Sequence, residues 1–422
     1  MMKSSYAFAF MPVASFSPEH GDFQKIGLTW FEMLERLNGK MVHDKEIETD
    51  DPPFFLILTG GCENKVLELI DSEKGNHNFP VFLIAHPNNN SLPASLEILA
   101  RLKQDGVNGN IIFFSDPADI AGLAKLTDLT HHVSIYKKMK LSRIGLVGEP
   151  SDWLVASMQS SDIVKKTWGP KVVQINMEEM DESINHADSS KNLSVVEQFI
   201  THAEIISGPE QNDFKKSADV YTALQEAAEK HALNALTVRC FDIVERHKTT
   251  GCFALAQLNN DGIIAGCEGD LPSAIGMLWA KYLLNSHVWM ANPAQIDPSK
   301  GFLRLAHCTI DFEMTDKFEL FTHFETNIGI GIRGFVNAQP CTLLRIGGKN
   351  LDKIWITEGQ IVGSGQSPLL CRTQLDVVTD DKEALEQLLK NPLGNHVVLV
   401  FGHHKALLTS YHKMFIAESE QN

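Results

Sequence analysis

The stretch from Gly262 to Asn292 constrains the fold most strongly, because it joins two short apolar runs through a helical segment. The first run breaks at Glu268, Gly269 and Asp270, and the second run breaks at Asn292. Strand, helix and strand in this order predict a βαβ unit with parallel strands and a right-handed crossover. We therefore expect Glu268 and Asn292 at one edge of a sheet, where open α/β folds bind their ligands.

Three acidic side chains are candidates at this predicted edge. Asp242 follows the apolar run 235–240, and Glu268 directly follows a run that should be buried. An unpaired carboxylate in a buried position is costly, which favours a functional role for Glu268. Asp270 precedes the start of the predicted helix, so capping of that helix is the alternative to a catalytic role.

Length and charge limit the class of protein. At 422 residues the chain is too long for one ordinary core, and two or three domains are expected. The formal net charge of −16 excludes nucleic acid as the expected partner, because its phosphates would be repelled. The sequence lacks the roughly 18 uninterrupted apolar residues that a membrane helix needs, so we expect no membrane association.

Cysteine usage and the first apolar run indicate a cytoplasmic protein. The seven cysteines are odd in number and widely spaced, without a Cys-X-X-Cys pair, so we expect reduced thiols in the core. The apolar run 6–13 is short and contains Pro12. It therefore predicts a first β-strand rather than a signal peptide.

The hydrophobic periodicity changes near residue 292. Before it, apolar runs alternate with amphipathic segments, which predicts two doubly wound parallel-sheet domains of the α/β class. After it, short β-like runs follow one another and predict a mostly antiparallel, barrel-like domain with closing helices. An acidic, serine-rich segment, 177–192, predicts a mobile loop. The expected domains are an N-terminal α/β domain, a second α/β domain and a β-rich C-terminal domain, at 1–140, 141–292 and 293–422.

Two polar loops add candidate ligand contacts. Asn90 lies in the loop between a predicted strand and a predicted helix, and Trp153 follows the strand 143–148. Backbone N–H groups at such positions favour polar ligands. Ordinary turns capped by Asn or Ser remain the alternative.

Three histidines carry more weight than the other histidines of the chain. His307 interrupts an apolar run, His323 lies just before Glu325, and His396 opens the final strand. A lone strand histidine is more often a hydrogen-bonded core residue than a ligand. Combined with Glu268 and Asn292, however, these histidines form an oxygen and imidazole set that suits Mn²⁺ or another divalent ion better than structural zinc.

These motifs resemble those of the L-fucose and L-arabinose isomerases, most clearly over residues 235–422. The resemblance implies a divalent-metal enzyme that interconverts an aldose and a ketose through an enediol. It places the manganese ligands on Glu268, Asn292 and His396, with His307 as an additional metal ligand. It also implies a homo-oligomer acting on a small sugar. The candidate substrate contacts are Asn292, His323, Glu325, Asn90 and Trp153.

The chain departs from that family at Asn292, where the family has a carboxylate. An amide offers a carbonyl oxygen to a metal, but it cannot act as a base. Either Glu268 transfers the proton alone, or Asp242 or Asp270 substitutes, or the protein binds sugars without isomerising them. A third possibility is a metal-dependent enzyme for a sugar acid or sugar phosphate, whose anion would contact Arg239, Arg333, Arg345 or Arg372.

Overall fold

The computed structural model describes residues 7–15, 21–43, 52–72 and 79–417. Two compact units divide the chain: unit 1 takes the described residues up to Lys137 and those from Ser410 onward, and unit 2 is Lys138–Thr409. The structure contains two parallel sheets and a closed antiparallel barrel, which confirms the predicted fold class. The three domain ranges 1–140, 141–292 and 293–422 stay a prediction.

Unit 1 is built on a five-stranded parallel sheet. Its strands are β1 (Phe8–Val13), β2 (Gly39–Met41), β3 (Phe54–Ile57), β4 (Val81–Ala85) and β5 (Gly109–Phe113), in the order β2-β1-β3-β4-β5. Its helices are α1 (Gly21–Arg36), α2 (Glu63–Ser72) and α3 (Ser91–Gln104), and α4 (Ile120–Leu141) crosses into unit 2. The strands β3 and β4 are buried along their whole length, as expected for a parallel sheet covered on both faces. β1 confirms the first predicted strand, although Tyr6 lies outside the described residues.

The parallel sheet of unit 2 has four strands. They are β6 (Arg143–Val147), β7 (Lys171–Ile175), β9 (Ala235–Val238) and β10 (Ile264–Cys267), in the order β10-β9-β6-β7. The accompanying helices are α5 (Ser161–Thr167), α6 (Met177–Asn185), α7 (Leu193–His202), α8 (Gln211–Lys230), α9 (Cys240–His247), α10 (Cys252–Asn260) and α11 (Leu271–Leu284).

The mobile loop predicted for 177–192 is wrong over its first half. Helix α6 forms there, because Asn176 caps it by accepting a hydrogen bond from the backbone N–H of Glu179. Met177, Met180 and Ile184 are buried at helical spacing. The acidic composition of this segment concealed a narrow apolar stripe.

The barrel of unit 2 closes with six antiparallel strands. They are β11 (Val288–Asp297), β12 (Phe302–His307), β15 (Gln339–Gly347), β16 (Lys353–Ser364), β17 (Thr373–Val378) and β18 (Val397–Phe401), in the order β11-β12-β17-β16-β15-β18. A small separate sheet has the order β14-β13-β8, from β8 (Ile206–Ser207), β13 (Lys317–Phe321) and β14 (Gly331–Phe335). The last helices are α12 (Lys382–Lys390) and α13 (Lys405–Phe415), of which α13 continues into unit 1.

The parallel βαβ unit predicted around α11 is wrong. β10 pairs with β9 in the parallel sheet, whereas β11 pairs antiparallel with β12 and β18 in the barrel. Helix α11 is buried at every position from Leu271 to Ala280, and it packs against strands of both the sheet and the barrel. The strand–helix–strand pattern thus connects two sheets rather than two strands of one sheet.

Among the residues that the structure describes, no helix is long and apolar enough to cross a membrane.

Candidate metal centre

Glu268 leaves the end of β10 in an unusual backbone conformation. Its φ is 64°, and Gly269 follows with φ 72°, both in the left-handed region. A Cβ on Gly269 would lie 2.8 Å from the carbonyl oxygen of Glu149, so only glycine is accommodated there. Left-handed non-glycine residues concentrate at functional sites, where the surrounding structure holds them. The turn therefore directs Glu268 away from the sheet at some cost in backbone strain.

Glu268 meets two imidazoles that the barrel provides. His307 is the last residue of β12, and His396 directly precedes β18. One ligand atom from each of the three side chains lies within 4.8 Å of the others. His307 is 4% exposed and His396 is fully buried. The parallel sheet supplies the carboxylate of this cluster and the barrel supplies both nitrogens.

Both imidazoles are oriented through their Nδ1 atoms. His396 Nδ1 lies 2.8 Å from Asp270 Oδ2, and His307 Nδ1 lies 2.9 Å from Thr309 Oγ1. His396 Nε2 is 3.4 Å from Glu268 Oε1 but is not aligned for a hydrogen bond, and it has no hydrogen-bond partner among the described residues. A metal-binding histidine is usually held in this way by a bond to its other nitrogen. The donor set therefore fits a divalent ion bound through carboxylate oxygen and imidazole nitrogen.

The charges of this cluster are strongly coupled. Burial by itself would lower the pKa of His396, but the contacts with Asp270 and Glu268 raise it to about 9. Burial, and then the charge of His396, lower the pKa of His307 to about 4. Burial opposes ionisation of Glu268, yet its contacts with His396, His307 and Trp153 hold its pKa below the usual value. Glu268 is therefore a carboxylate at neutral pH.

Asp270 caps α11, as predicted, and also supports His396 from behind. Its Oδ1 accepts from the backbone N–H of Ser273 at 3.0 Å, and its Oδ2 accepts from Arg345 at 2.8 Å. Asp270 and Arg345 are both inaccessible to solvent, with exposures of 0% and 1%. Although burial opposes ionisation, the charges of Arg345 and His396 hold the pKa of Asp270 far below its usual range. We interpret Asp270 as a positioning residue, and its predicted catalytic role stays untested.

Asn292 lies at the same end of the barrel strands as the two imidazoles. Ala291 pairs with Val397, so the register one residue further places Asn292 opposite His396. Asn292 itself pairs with Ala306, the neighbour of His307. Directly opposed residues in a sheet project to the same face. The register therefore places Asn292 opposite His396, whereas Ala306 and not His307 shares its face, and the metal-binding role of Asn292 stays a prediction.

Asp242 is engaged elsewhere. It lies in the first turn of α9, and its Oδ1 accepts from Arg239 Nε at 2.9 Å. Arg239 also bridges to both carboxylate oxygens of Asp152. Within the described part of the chain, the contacts of Asp242 are with arginines and not with the imidazoles of the cluster. A catalytic role for Asp242 remains a prediction without such contacts behind it.

Trp153 connects Glu268 to the surface. Its Nε1–H donates to Glu268 Oε2 at 2.5 Å, while the side chain remains 49% exposed. Its indole packs edge-on against Phe241, which in turn packs edge-on against His323. A half-exposed indole beside a carboxylate offers an apolar face of the kind that packs against a sugar ring.

The other predicted substrate contacts, His323, Glu325 and Asn90, differ in burial and in the unit to which they belong. His323 is 8% exposed, and Glu325 is on the surface two residues later. Asn90 belongs to unit 1, where it is exposed and precedes α3 in a left-handed conformation. Contact of these residues and of Trp153 with a substrate stays a prediction.

The four candidate anion-binding arginines differ in whether a carboxylate already pairs with them. Arg239 is paired with Asp152 and Asp242, Arg333 with Glu319, and Arg345 with Asp270. Arg372 instead donates its Nε–H to the carbonyl oxygen of Thr322 at 2.8 Å and has no carboxylate partner among the residues described. Of these four arginines, Arg372 alone has no carboxylate partner among the described residues that would compete with a negatively charged ligand.

Two supporting residues carry no signal in the sequence. Ser157 accepts from Arg345 at 2.7 Å, and Thr309 orients His307. Serine and threonine at these positions look like ordinary loop residues. An arginine inside the apolar run of β15 was the one available sign that a buried carboxylate needed a partner.

Comparison with known proteins points to sugar isomerases. The chain is 21% identical over 345 residues to the sulfoquinovose isomerase of Clostridium sp. (strain MSTE9), covering 78% of this chain and 76% of that protein. It is 20% identical over 298 residues to the sulfoquinovose isomerase of Priestia aryabhattai, covering 68% of this chain and 66% of that protein. It is 20% identical over 241 residues to that of Alkalicoccus urumqiensis, covering 56% of this chain and 54% of that protein.

No family model matches the chain. The chain spans 66% of the length of the Priestia relative. The similarity supports the class that the sequence resemblance implies, a sugar isomerase, and does not single out the fucose or arabinose enzymes.

Proposed function

We propose that this protein is a sugar aldose–ketose isomerase that works with a divalent metal held by Glu268, His307 and His396. The observation that carries the proposal is the convergence of one carboxylate and two buried imidazoles, with His396 Nε2 buried and without a hydrogen bond among the described residues. The similarity to sulfoquinovose isomerases supports the reaction class. Manganese, a homo-oligomeric assembly and a cytoplasmic location belong to the same proposal and rest on the sequence resemblance and the free cysteines.

The metal, when bound, polarises the carbonyl and adjacent hydroxyl oxygens of the sugar and makes the neighbouring C–H more acidic. Glu268 would accept the proton from C2 of the aldose and return it to C1 of the enediol, while the O2 hydroxyl proton passes to O1, which gives the ketose. Trp153 donates to one oxygen of Glu268, so the other oxygen faces His396 and the cluster. Asp270 and Arg345 fix His396 from the buried side.

Glu268 is the only carboxylate in this group of three, so the proposal assigns the proton transfer to it. Asn292 adds a neutral oxygen where the resembling family has a charge. Metal affinity should therefore be low, and Asn292→Asp should raise it. The alternative is a sugar-binding relative without turnover.

The test uses the full chain, stripped of metal by a chelator and then supplied with Mn²⁺. Product formation and deuterium uptake from solvent are followed by NMR over pentoses, deoxyhexoses and sulfoquinovose. The proposal expects ketose formation that depends on the metal and is lost in Glu268→Gln. Turnover that survives both the chelator and Glu268→Gln would refute it. Thermal stabilisation by a sugar without deuterium uptake, in both the native protein and Asn292→Asp, would establish the binding relative instead.

A substrate with a negative charge is favoured by Arg372. Its guanidinium lacks a carboxylate partner among the described residues, and the relatives are named for a sulfonated sugar. Arg372→Gln is expected to raise the KM for a sulfonated sugar about tenfold, as loss of a charged hydrogen bond would. The KM for a neutral sugar should stay unchanged. An equal rise for both sugars would exclude a specific anion contact.

A further inference from the structure

Unit 2 contains a second convergence of side chains, which we call the thiol cluster: Cys252, Cys308, His323 and Cys371. One ligand atom each from Cys252, Cys308 and His323 lies within 4.8 Å of the others, and all three residues are buried. Cys252 is the first residue of α10, Cys308 follows β12, and His323 follows β13. Three elements that are distant along the chain therefore deliver two sulfurs and an imidazole to one place.

Cys371 completes the cluster from a fourth direction. It lies two residues before β17 and directly precedes Arg372, which contacts Cys308, although its own sulfur lies outside the group of atoms within 4.8 Å of one another. The backbone N–H of Arg372 also donates to the Cys308 sulfur, at 3.3 Å. Hydrogen bonds from backbone N–H groups to a sulfur are a typical outer shell of a metal-bound thiolate. The Thr326 hydroxyl lies 3.3 Å from His323 Nδ1 and orients that ring in the same sense.

We propose that Cys252, Cys308, His323 and Cys371 form a zinc site of the Cys₃His type, separate from the proposed catalytic metal. Three thiolates and one imidazole are the closed donor set of structural zinc, whereas the Glu268 cluster offers oxygen and nitrogen. This proposal does not depend on the proposed function. It gives His323 a structural role in place of the predicted substrate contact.

Ordinary packing does not account for the thiol cluster. A free cysteine commonly fills a core as a small apolar side chain. Cys62 does so in unit 1, where its thiol donates to the carbonyl oxygen of Thr59. Cys252, Cys308 and His323 instead bring their ligand atoms within 4.8 Å of one another from three separate elements, with Cys371 beside them. A shared ion explains that arrangement better than independent burial does.

The zinc site would also anchor the catalytic cluster. Cys308 directly follows His307, the last residue of β12. A zinc ion that holds the Cys308 sulfur would therefore also hold the strand end that carries His307. Zinc would tie this end to α10, to the turn after β13 and to the start of β17. Removing zinc is therefore expected to lower thermal stability and to loosen His307.

The test measures metal in the full-length, fully reduced protein. The protein is produced with zinc supplementation, dialysed against a mild chelator and analysed by mass spectrometry of the elements. A single tightly held zinc per chain is expected. Replacement by cobalt should produce the strong near-ultraviolet absorption of a thiolate–cobalt bond, which the Glu268 cluster cannot give because it contains no sulfur.

Matched variants locate the site. Cys371→Ser and Cys252→Ser are expected to lose the zinc and the thiolate–cobalt absorption, whereas Cys62→Ser keeps both. Glu268→Gln should also keep the absorption while it loses activity, which separates this proposal from the proposed function. Folded native protein that binds no zinc and shows no thiolate–cobalt band would overturn the proposal, whatever the variants do. Retention of the full band in both Cys371→Ser and Cys252→Ser would overturn it as well.

Discussion

Acidic residues follow the carboxyl ends of strands in both parallel sheets, but the groups that these acids contact differ between the two units. In unit 1, Asp119 follows β5 and accepts hydrogen bonds from the backbone N–H groups of Ser115 and Gly122. In unit 2, Asp270 and Glu268 follow β10 and meet His396, which the barrel supplies. An acidic residue between a strand and a helix therefore acts as a helix cap, and it gains a further role only where another part of the fold, here the barrel, places a histidine beside it.

The two capping aspartates show this difference in their electrostatics. Backbone and side-chain hydrogen bonds from Ser115 and Gly122 lower the pKa of the exposed Asp119 to about 2. The pKa of Asp270 is lowered further, although burial opposes its ionisation, because Arg345 and His396 contribute full charges. Local hydrogen bonds explain the first shift, and tertiary contacts explain the second.

Glu268→Gln should have the largest effect, a loss of about 10²–10⁴-fold in kcat, because it removes the proposed base without changing size. Steady-state kinetics with saturating metal measures it. Asp119→Asn is the control in unit 1, since asparagine caps a helix equally well and should leave kcat unchanged. Comparable losses in both variants would mean that the two sheet edges do not differ in function.

Asp270→Asn should destabilise the protein by about 3–5 kcal/mol, because it leaves Arg345 buried without its counter-charge. Urea unfolding measures this change, and Asp119→Asn should cost less, because Asp119 is exposed and balances no buried charge. Combining Asp270→Asn with Arg345→Met should recover part of the loss. An Asp270→Asn protein as stable as the native one would show that this pair contributes nothing to folding.

Gly269→Ala and Gly61→Ala compare the turns at the two edges. Both glycines have positive φ, 72° and 80°, so alanine should cost about 1–2 kcal/mol at either position. A Cβ at Gly61 would have its nearest neighbour at 3.4 Å, whereas one at Gly269 would meet two backbone atoms at 2.8 Å. The unfolding free energy should fall by about 1–3 kcal/mol more for Gly269→Ala. Equal losses would mean that the turn at Glu268 can shift without strain.

The pH dependence of stability that His132 in unit 1 contributes should be the smallest effect. The pKa of His132 is lowered whereas that of His396 is raised, so the two pH dependences have opposite signs. Burial lowers the pKa of His132 to about 4 from 6.5, so protonation favours the unfolded chain. Its stabilisation is full above pH 6.5 and is lost as the pH falls toward 4. At about pH 5.5 the loss should be near 1 kcal/mol.

His132→Leu checks this expectation. Unfolding midpoints at neutral and mildly acidic pH should differ less in the variant than in the native protein. The same pH dependence in both would show that His132 does not titrate on unfolding.

Much of the secondary structure followed from the sequence. Short β-like runs in series predicted the barrel strands, and the start at Asp270 predicted α11 correctly. The sequence did not predict which sheet β11 joins. Helix α11 is apolar on all sides, so a strand–helix–strand pattern of this kind fits a connection within one sheet as well as a connection between two sheets. The helix α6 was missed because its apolar stripe is only three residues wide.

The sequence by itself determined most of the elements and placed Glu268 after one strand and His396 at the start of another, because periodicity and turn residues act over a few positions. Only the tertiary structure decided that Glu268, His307 and His396 meet, that Asp270 faces Arg345 and that Cys252, Cys308 and His323 converge. Convergence depends on strand register and on the packing of the barrel against the sheet. Those contacts join residues far apart in the chain, and no local pattern encodes them.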